Sequence, residues 1–255
     1  WINQQGTSPE TAALLSNQNF RQALNYGFDR SATVNAVNPG YKAYNRLVDS
    51  NFAGPGGGKF VDEYPVETAP LSGDVDQAKE YLAAAMEELG YSDVSQLPQL
   101  ELITWDTSEQ KLLLKTIIDQ WKQNLGLENI QLTQYVIGTA IGSFYDLSYD
   151  LFSITWETDV LPTDIMEAMV TGGEVNYGIW SDAQFDALVE QAINELDPDK
   201  QAELTAQAEQ IFLDNEAILP LYENGVTGAV QSYVEGFQMS ATSSGYQFNN
   251  LVVHK

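Results

Sequence analysis

A strand, a helix and a second strand follow one another between Leu100 and Val136, and this passage constrains the fold more than any other part of the chain. Leu100 to Trp105 alternates apolar and polar positions as a half-buried strand does. After Ser108, placed as a cap, Leu113, Leu114, Ile117, Ile118, Trp121 and Leu125 recur at helical spacing, and Gly126 ends the run. Asn129 to Val136 then returns to a period of two. Strands joined by a helix of this length do not form a hairpin. They lie parallel, with the helix packed across them in a right-handed crossover. The fold class expected is therefore α/β.

Other helices are marked by their ends. Asp74 to Leu89 carries Ala78, Leu82, Ala85, Met86 and Leu89 on one face, with Gly90 just beyond. Asn17 or Asn19 caps a helical run over residues 17–37 through Phe20, Ala23, Leu24, Gly27 and Phe28, in which Arg21 and Arg30 stand out only because basic residues are scarce. Residues 38–73 read as irregular, punctuated by Asn38-Pro39-Gly40, Gly54 to Gly58, Pro65 and Pro70. Gly56 to Gly58 lack the Lys-Ser/Thr of a phosphate loop and read as a flexible turn. Residues 137–148 form a loop or short helix. Thr163 or Asp164 caps a helix through Met169; Ser181 opens a capping box; Asp197 caps a helix with Pro198 in its first position. Ile218 to Tyr222 reads as a last core strand, and beyond Gly225 the chain is strand-like but poorly amphipathic.

The stretch from Tyr149 to Pro162 changes character part-way. Leu151 to Thr155 is a short apolar and β-branched run that reads as a buried strand. Trp156, Glu157, Thr158 and Asp159 follow at once, and Pro162 rules out further strand. In open α/β sheets ligands bind beyond the carboxyl ends of the strands, where loops carry the polar groups. A large aromatic beside a carboxylate suits an organic cation such as an amine. The competing reading puts Trp156 in the core and leaves Asp159 a solvated loop acid.

Composition removes most other chemistry. The 36 acidic and 11 basic side chains give a formal charge of −25, which repels nucleic acid and anionic lipid and slightly favours cationic ligands. The absence of cysteine excludes disulfides and thiolate metal sites. The only histidine, His254, is beside the last residue, which removes a Ser-His-Asp or Cys-His centre and the usual zinc sites. Asp74-Val75-Asp76 and Asp197-Pro198-Asp199 lack the Gly and distant Glu of a calcium loop and read as acids at helix starts. No spacing singles out a carboxylate pair for glycoside hydrolysis. Neither metal nor cofactor is expected. No apolar run reaches the roughly 18 residues of a membrane span. The opening Trp1-Ile2-Asn3-Gln4-Gln5 lacks the basic and apolar regions of a signal peptide, so the expectation is a fragment or processed chain.

Several segments together resemble the bacterial extracellular solute-binding proteins of family 5, the oligopeptide-, dipeptide- and nickel-binding receptors of ABC importers. Asn19-Phe20-Arg21-Gln22-Ala23-Leu24-Asn25-Tyr26-Gly27-Phe28-Asp29-Arg30 is similar to the family's valine-arginine-glutamine-alanine-leucine helix ending in aspartate-arginine. Asp76-Gln77-Ala78-Lys79 with Gly90-Tyr91, and Trp121-Lys122-Gln123-Asn124-Leu125-Gly126, continue the likeness in the family's order. So do Tyr149-Asp150 with Trp156 and Asp159, Phe185-Asp186-Ala187-Leu188, and Ala208-Glu209-Gln210-Ile211 with Leu219-Pro220-Leu221-Tyr222.

The resemblance implies the C-terminal lobe of a two-lobe receptor of the type II periplasmic-binding-protein kind, a mixed sheet flanked by helices. Residues 1–225 would form the lobe, and residues 226–255 a tail that in full-length relatives returns to the first lobe; otherwise the tail folds back or pairs with another copy. A signal peptide and lipid-anchor cysteine would belong to the missing N-terminal part. It further implies a peptide ligand, ABC permease subunits as partners, and an extracellular, lipid-anchored or periplasmic setting, with no catalysis. Asp159 would hold the ligand's α-amino group and Trp156 form the neighbouring wall, with Glu157 and Thr158 lining the pocket. The family's acidic-Pro pair after this loop is replaced by Leu161-Pro162-Thr163. Alternatives are a peptide-pheromone or signal receptor, a binder of another small solute such as a dipeptide, nickel or haem, and an acid-pair hydrolase. Nickel and haem fit poorly with a lobe offering no usable His or Cys.

Overall fold

The computed structural model describes residues 1–155, 161–224, 230–239, 246–247 and 250–254. The chain runs α1 (Pro9–Ser16), α2 (Gln18–Tyr26), α3 (Arg30–Val37), β1 (Lys42–Ala43), α4 (Phe60–Glu63), α5 (Val75–Leu89), β2 (Leu100–Trp105), α6 (Ser108–Leu125), β3 (Ile130–Tyr135), α7 (Ile137–Tyr145) and β4 (Leu151–Phe152). It continues through α8 (Pro162–Ala168), α9 (Ala183–Asn194), α10 (Pro198–Asn215) and β5 (Tyr222–Glu223) to the short strands β6 (Val234–Glu235), β7 (Gln238–Met239), β8 (Tyr246–Gln247) and β9 (Val252–Val253).

The strand-helix-strand passage forms the centre. β2 pairs in parallel with β3 from Leu100↔Ile130 to Trp105↔Tyr135, and in parallel with β4 through Leu102↔Leu151 and Ile103↔Phe152. The order is β3-β2-β4, with β2 in the middle. Ile2 adds an antiparallel bridge to Leu151, so the sheet is mixed. Successive side chains of a strand point to opposite faces. Leu102 accordingly joins a core with Phe20, Leu24, Leu113, Ile117 and Trp121, while Ile103 joins Ala140, Phe144, Tyr149 and Phe152 under α7. A separate core gathers Trp180, Phe185 and Phe212 from the α8–α10 region with Val48 and Phe60.

The helix ends are set by side chains that satisfy otherwise unpaired N–H groups. Asp74 accepts from Gln77 N–H at 3.0 Å, and Gly90 and Gly126 take the left-handed conformation that closes α5 and α6. Three caps shift by a residue or more from the sequence expectation. Thr107 rather than Ser108 caps α6, accepting from Gln110 N–H at 3.2 Å. Asp182 rather than Ser181 caps α9, accepting from Gln184 and Phe185 N–H, both at 2.9 Å. α8 begins at Pro162, and the Asp164 carboxylate reaches back to Leu161 N–H at 2.8 Å. The run over residues 17–37 divides into α2 and α3, because Asp29 starts a new helix by accepting from Ala32 N–H at 2.7 Å. The Gly56 to Gly58 turn is tied down: Glu63 accepts from Gly56 and Gly58 N–H at 2.9 and 2.6 Å.

Two expected strands are shorter than their apolar runs. Only Leu151–Phe152 of the 151–155 stretch forms a ladder. Of 218–222 only Tyr222 does, opposite Ala43, where β5 pairs antiparallel with β1 off the central sheet. The described tail residues pair with one another, β6 with β9 and β7 with β8, both antiparallel.

The chain's three arginines, Arg21, Arg30 and Arg46, are all buried. Arg46 meets Glu209 at 2.5 Å inside the protein, and the same carboxylate accepts Leu47 and Val48 N–H at 2.9 and 3.0 Å. Arg21 donates to the carbonyls of Asn215 and Leu15, both at 2.9 Å, and Arg30 to those of Pro220 at 2.9 Å and Asn25 at 3.0 Å. Between them lies the buried Glu216, which accepts from Asn25 Nδ2 at 2.5 Å.

Removing one partner of a buried pair strands the other's charge. Glu209→Ala therefore lowers the unfolding free energy by about 3–5 kcal/mol. Asp119→Ala, at the exposed Lys115 pair, changes it by less than about 1 kcal/mol. Urea denaturation measures both. Burial pushes the Glu216 carboxyl from 4.5 up to about 8, against the Asn25 hydrogen bond and the pull of Arg30 and Arg21. A raised folded-state pKa favours the protonated form, so its stabilisation is complete below pH 4.5 and lost as the pH climbs to about 8. The unfolding free energy from urea titrations falls across that window, by up to about 1.4 kcal/mol per pH unit from this group, and Glu216→Gln flattens the fall.

Candidate ligand-binding site

A cavity of about 240 Å³ lies beside β4, an outer strand of the sheet, against Leu102 of β2, Leu151 and Phe152 of β4 and the residues that leave β4. Its floor is apolar, from Leu114, Ile117 and Trp121 of α6. One wall is the exit of β4 at Ser153, Ile154 and Thr155; another is the segment from Tyr44 to Asp49; a third runs from Ile218 to Asn224. The apolar run at 218–222 was expected to be a strand, and it fills this wall instead, with only Tyr222 in a ladder.

Trp156, Glu157, Thr158 and Asp159, the residues to which the sequence points, lie outside the described residues. Thr155, the last described residue before them, lines the cavity, as do Ile165 and Met169 after them.

The exit of β4 is held by polar contacts in place of further ladder. Ser153 N–H donates to the Ile103 carbonyl at 3.0 Å, and Thr104 Oγ1 donates to the Ser153 carbonyl at 3.2 Å. Ser153 Oγ donates to Oε1 of the buried Gln110 at 3.3 Å. Thr155 and Gln110 lie beside the Tyr222 hydroxyl, and burial first, with Glu109 nearby, pushes its pKa up. Its ring stacks on Tyr41 at 4.7 Å and 7° between planes, and Tyr41 donates to Glu109 at 2.7 Å. At neutral pH these phenols stay protonated donors. Sequence reading missed Gln110 and Tyr222 here; both are half of a contact whose other half is remote in the chain.

The charges on the walls are unequal in their freedom. The Arg46 guanidinium is committed to Glu209 and to the carbonyls of Val61 and Tyr64 at 3.0 and 3.2 Å. Glu223 accepts from Ser50 N–H at 2.6 Å, from its hydroxyl at 2.7 Å and from Lys42 Nζ at 3.1 Å. Tyr44 donates to the Val48 carbonyl at 2.5 Å, and burial pushes its phenol far up. The described residues contain no cluster of His, Cys, Asp and Glu able to hold a metal ion. His254 faces Glu235 at 3.1 Å in the tail. What these walls provide is shape, neutral donors and uncompensated acid.

The model of the bacterial extracellular solute-binding proteins, family 5 Middle, matches residues 1–177. The chain is 28% identical over 239 residues to the oligopeptide-binding protein OppA of Bacillus subtilis, covering 91% of this chain and 42% of that protein. It is 26% identical over 210 residues to the dipeptide-binding protein DppE of the same organism, covering 82% of this chain and 37% of that one. Among solved structures, the substrate-binding domain of an oligopeptide ABC transporter from Bacillus anthracis superposes with a TM-score of 0.84 at 23% identity, over 100% of this chain and 48% of that one. The pheromone receptor PrgZ gives 0.81 at 22%, over 100% and 48%. These likenesses show the fold, an α/β unit with a mixed sheet as in type II binding proteins. The chain spans less than half the length of the two relatives it matches in sequence. With a family model matched over residues 1–177, the chain belongs to the bacterial extracellular solute-binding proteins of family 5.

Proposed function

We propose that this chain is the C-terminal ligand-binding lobe of a receptor that captures peptides for an ABC importer. The observation that carries the reading is the cavity beside β4, whose walls combine apolar surface with acid and include residues that precede and follow 156–160 in the chain. The relatives named as oligopeptide- and dipeptide-binding proteins support peptide as the ligand class. Residues 1–225 form the lobe and residues 226–255 a tail that reaches the other lobe.

An extended peptide offers a main-chain donor and acceptor at every residue, so a site built on those groups tolerates many side chains, with water filling the spare volume. The orienting contact is the α-ammonium. Asp159 holds it, Trp156 stands beside it, and Glu157 and Thr158 line the pocket. Binding between two lobes stabilises the closed form, and that form is the one an ABC permease recognises. No bond is made or broken in this cycle. The work is done outside the cell membrane, by a lipid-anchored or periplasmic protein.

A receptor that reports one pheromone peptide has the same closure, and it differs by strong selectivity. Calorimetry with a panel of unrelated short peptides separates the two. Binding of most of them within about tenfold of one another supports import, and binding of a single one supports signalling. Loss of a charge-assisted hydrogen bond weakens binding by roughly 10- to 100-fold. In the full-length, two-lobe receptor, Asp159→Asn weakens free-amine peptides by that factor and leaves amino-acetylated ones unchanged. Equal weakening of both removes Asp159 from the anchor role.

A further inference from the structure

Among the described residues, the charged side chains around the cavity cancel in pairs except for one. Arg46 is neutralised by Glu209, and Lys42 by Glu223. Asp49 remains. Its Oδ1 accepts from Asn51 N–H at 2.7 Å, and no cation among the described residues comes within ion-pair distance of it. It lines the cavity and is only partly exposed. In so acidic a chain a fixed carboxylate of this kind is a net attractor for positive charge.

Its position is also built. The two residues before it, Leu47 and Val48, donate their N–H groups to the buried Glu209 carboxylate, so the segment is fixed before any ligand arrives. The surroundings suit an alkyl stem with a charged tip. Ile218 and Leu219 supply apolar wall, and the Tyr44 ring already has the Lys42 ammonium 5.1 Å from its centroid.

We propose that Asp49 is a specificity-determining residue of this cavity, selecting ligands that carry a second positive charge in the form of a lysine or arginine side chain. This rests on the reading of the ligand as a peptide. The α-ammonium is the first charge and is held by Asp159; Asp49 comes from a separate wall and reads a side chain.

The test uses the full-length, two-lobe receptor and calorimetry. The probes are tetra-alanine peptides with lysine at the second, third or fourth position, each matched to one with norleucine there, which keeps the stem and removes the charge. At one position the wild type binds the lysine peptide about three- to tenfold tighter, and the difference shrinks with added salt. Asp49→Asn keeps an acceptor for Asn51 N–H, so its melting temperature is unchanged. It erases the lysine preference and leaves norleucine peptides unaffected. The proposal is overturned if no position prefers lysine, if the preference survives Asp49→Asn, or if that variant weakens lysine and norleucine peptides alike. Failure of every peptide to bind the wild type overturns the peptide reading itself, and this inference with it.

Discussion

The candidate site depends on a carboxylate that never sees solvent. Glu209, on α10, is fully buried and accepts from the Arg46 guanidinium and from two successive main-chain N–H groups. A buried charge is tolerable only when paired and fully hydrogen-bonded, so α10 and the segment through Val48 have to stay together. That segment carries Tyr44 and Asp49 to the cavity. The far end of α10 is fixed in the same manner: Arg21 and Arg30 hold the carbonyls of Asn215 and Pro220, on either side of Glu216. All three arginines of the chain are thus consumed in bracing two walls of one cavity.

That use of arginine has a chemical consequence. The only guanidinium lining the cavity is turned inward, while Asp49 has no cation of its own among the described residues. The described walls therefore favour the positive parts of a ligand, and Arg46, committed to Glu209, is not free to take a terminal carboxylate. On the proposed function, recognition on this side is of amines and main-chain groups.

Much of the scaffold was legible because its signals are local. The β2-α6-β3 passage follows from two periodicities and a glycine, and Asp74, Asp197 and Gly90 mark helix ends that side chains close at short range. Where neighbouring residues can both cap, as Thr107 and Ser108 can, spacing does not choose between them. The apolar run at 218–222 was misread because filling a cavity wall and pairing in a sheet demand the same residue types. The buried arginines were unreadable for a different reason. Arg46 and Glu209 are 163 positions apart, and Arg21 meets its carbonyl 194 positions away, so no window of sequence contains both halves. The site divides along the same line. Aromatic, acid and strand end were visible together at 151–159, whereas Asp49, Gln110 and Tyr222 gain meaning only when three distant segments converge.

On the proposed function, ligand enters the cavity beside β4. Backbone-amide NMR of the full-length, two-lobe receptor, titrated with trialanine, tests it most directly. Saturable shifts concentrated at Ser153, Thr155, Tyr222 and Asn224, with the exposed face of α9 silent, are the predicted result. Saturable binding that leaves those four amides unmoved and shifts residues elsewhere contradicts it.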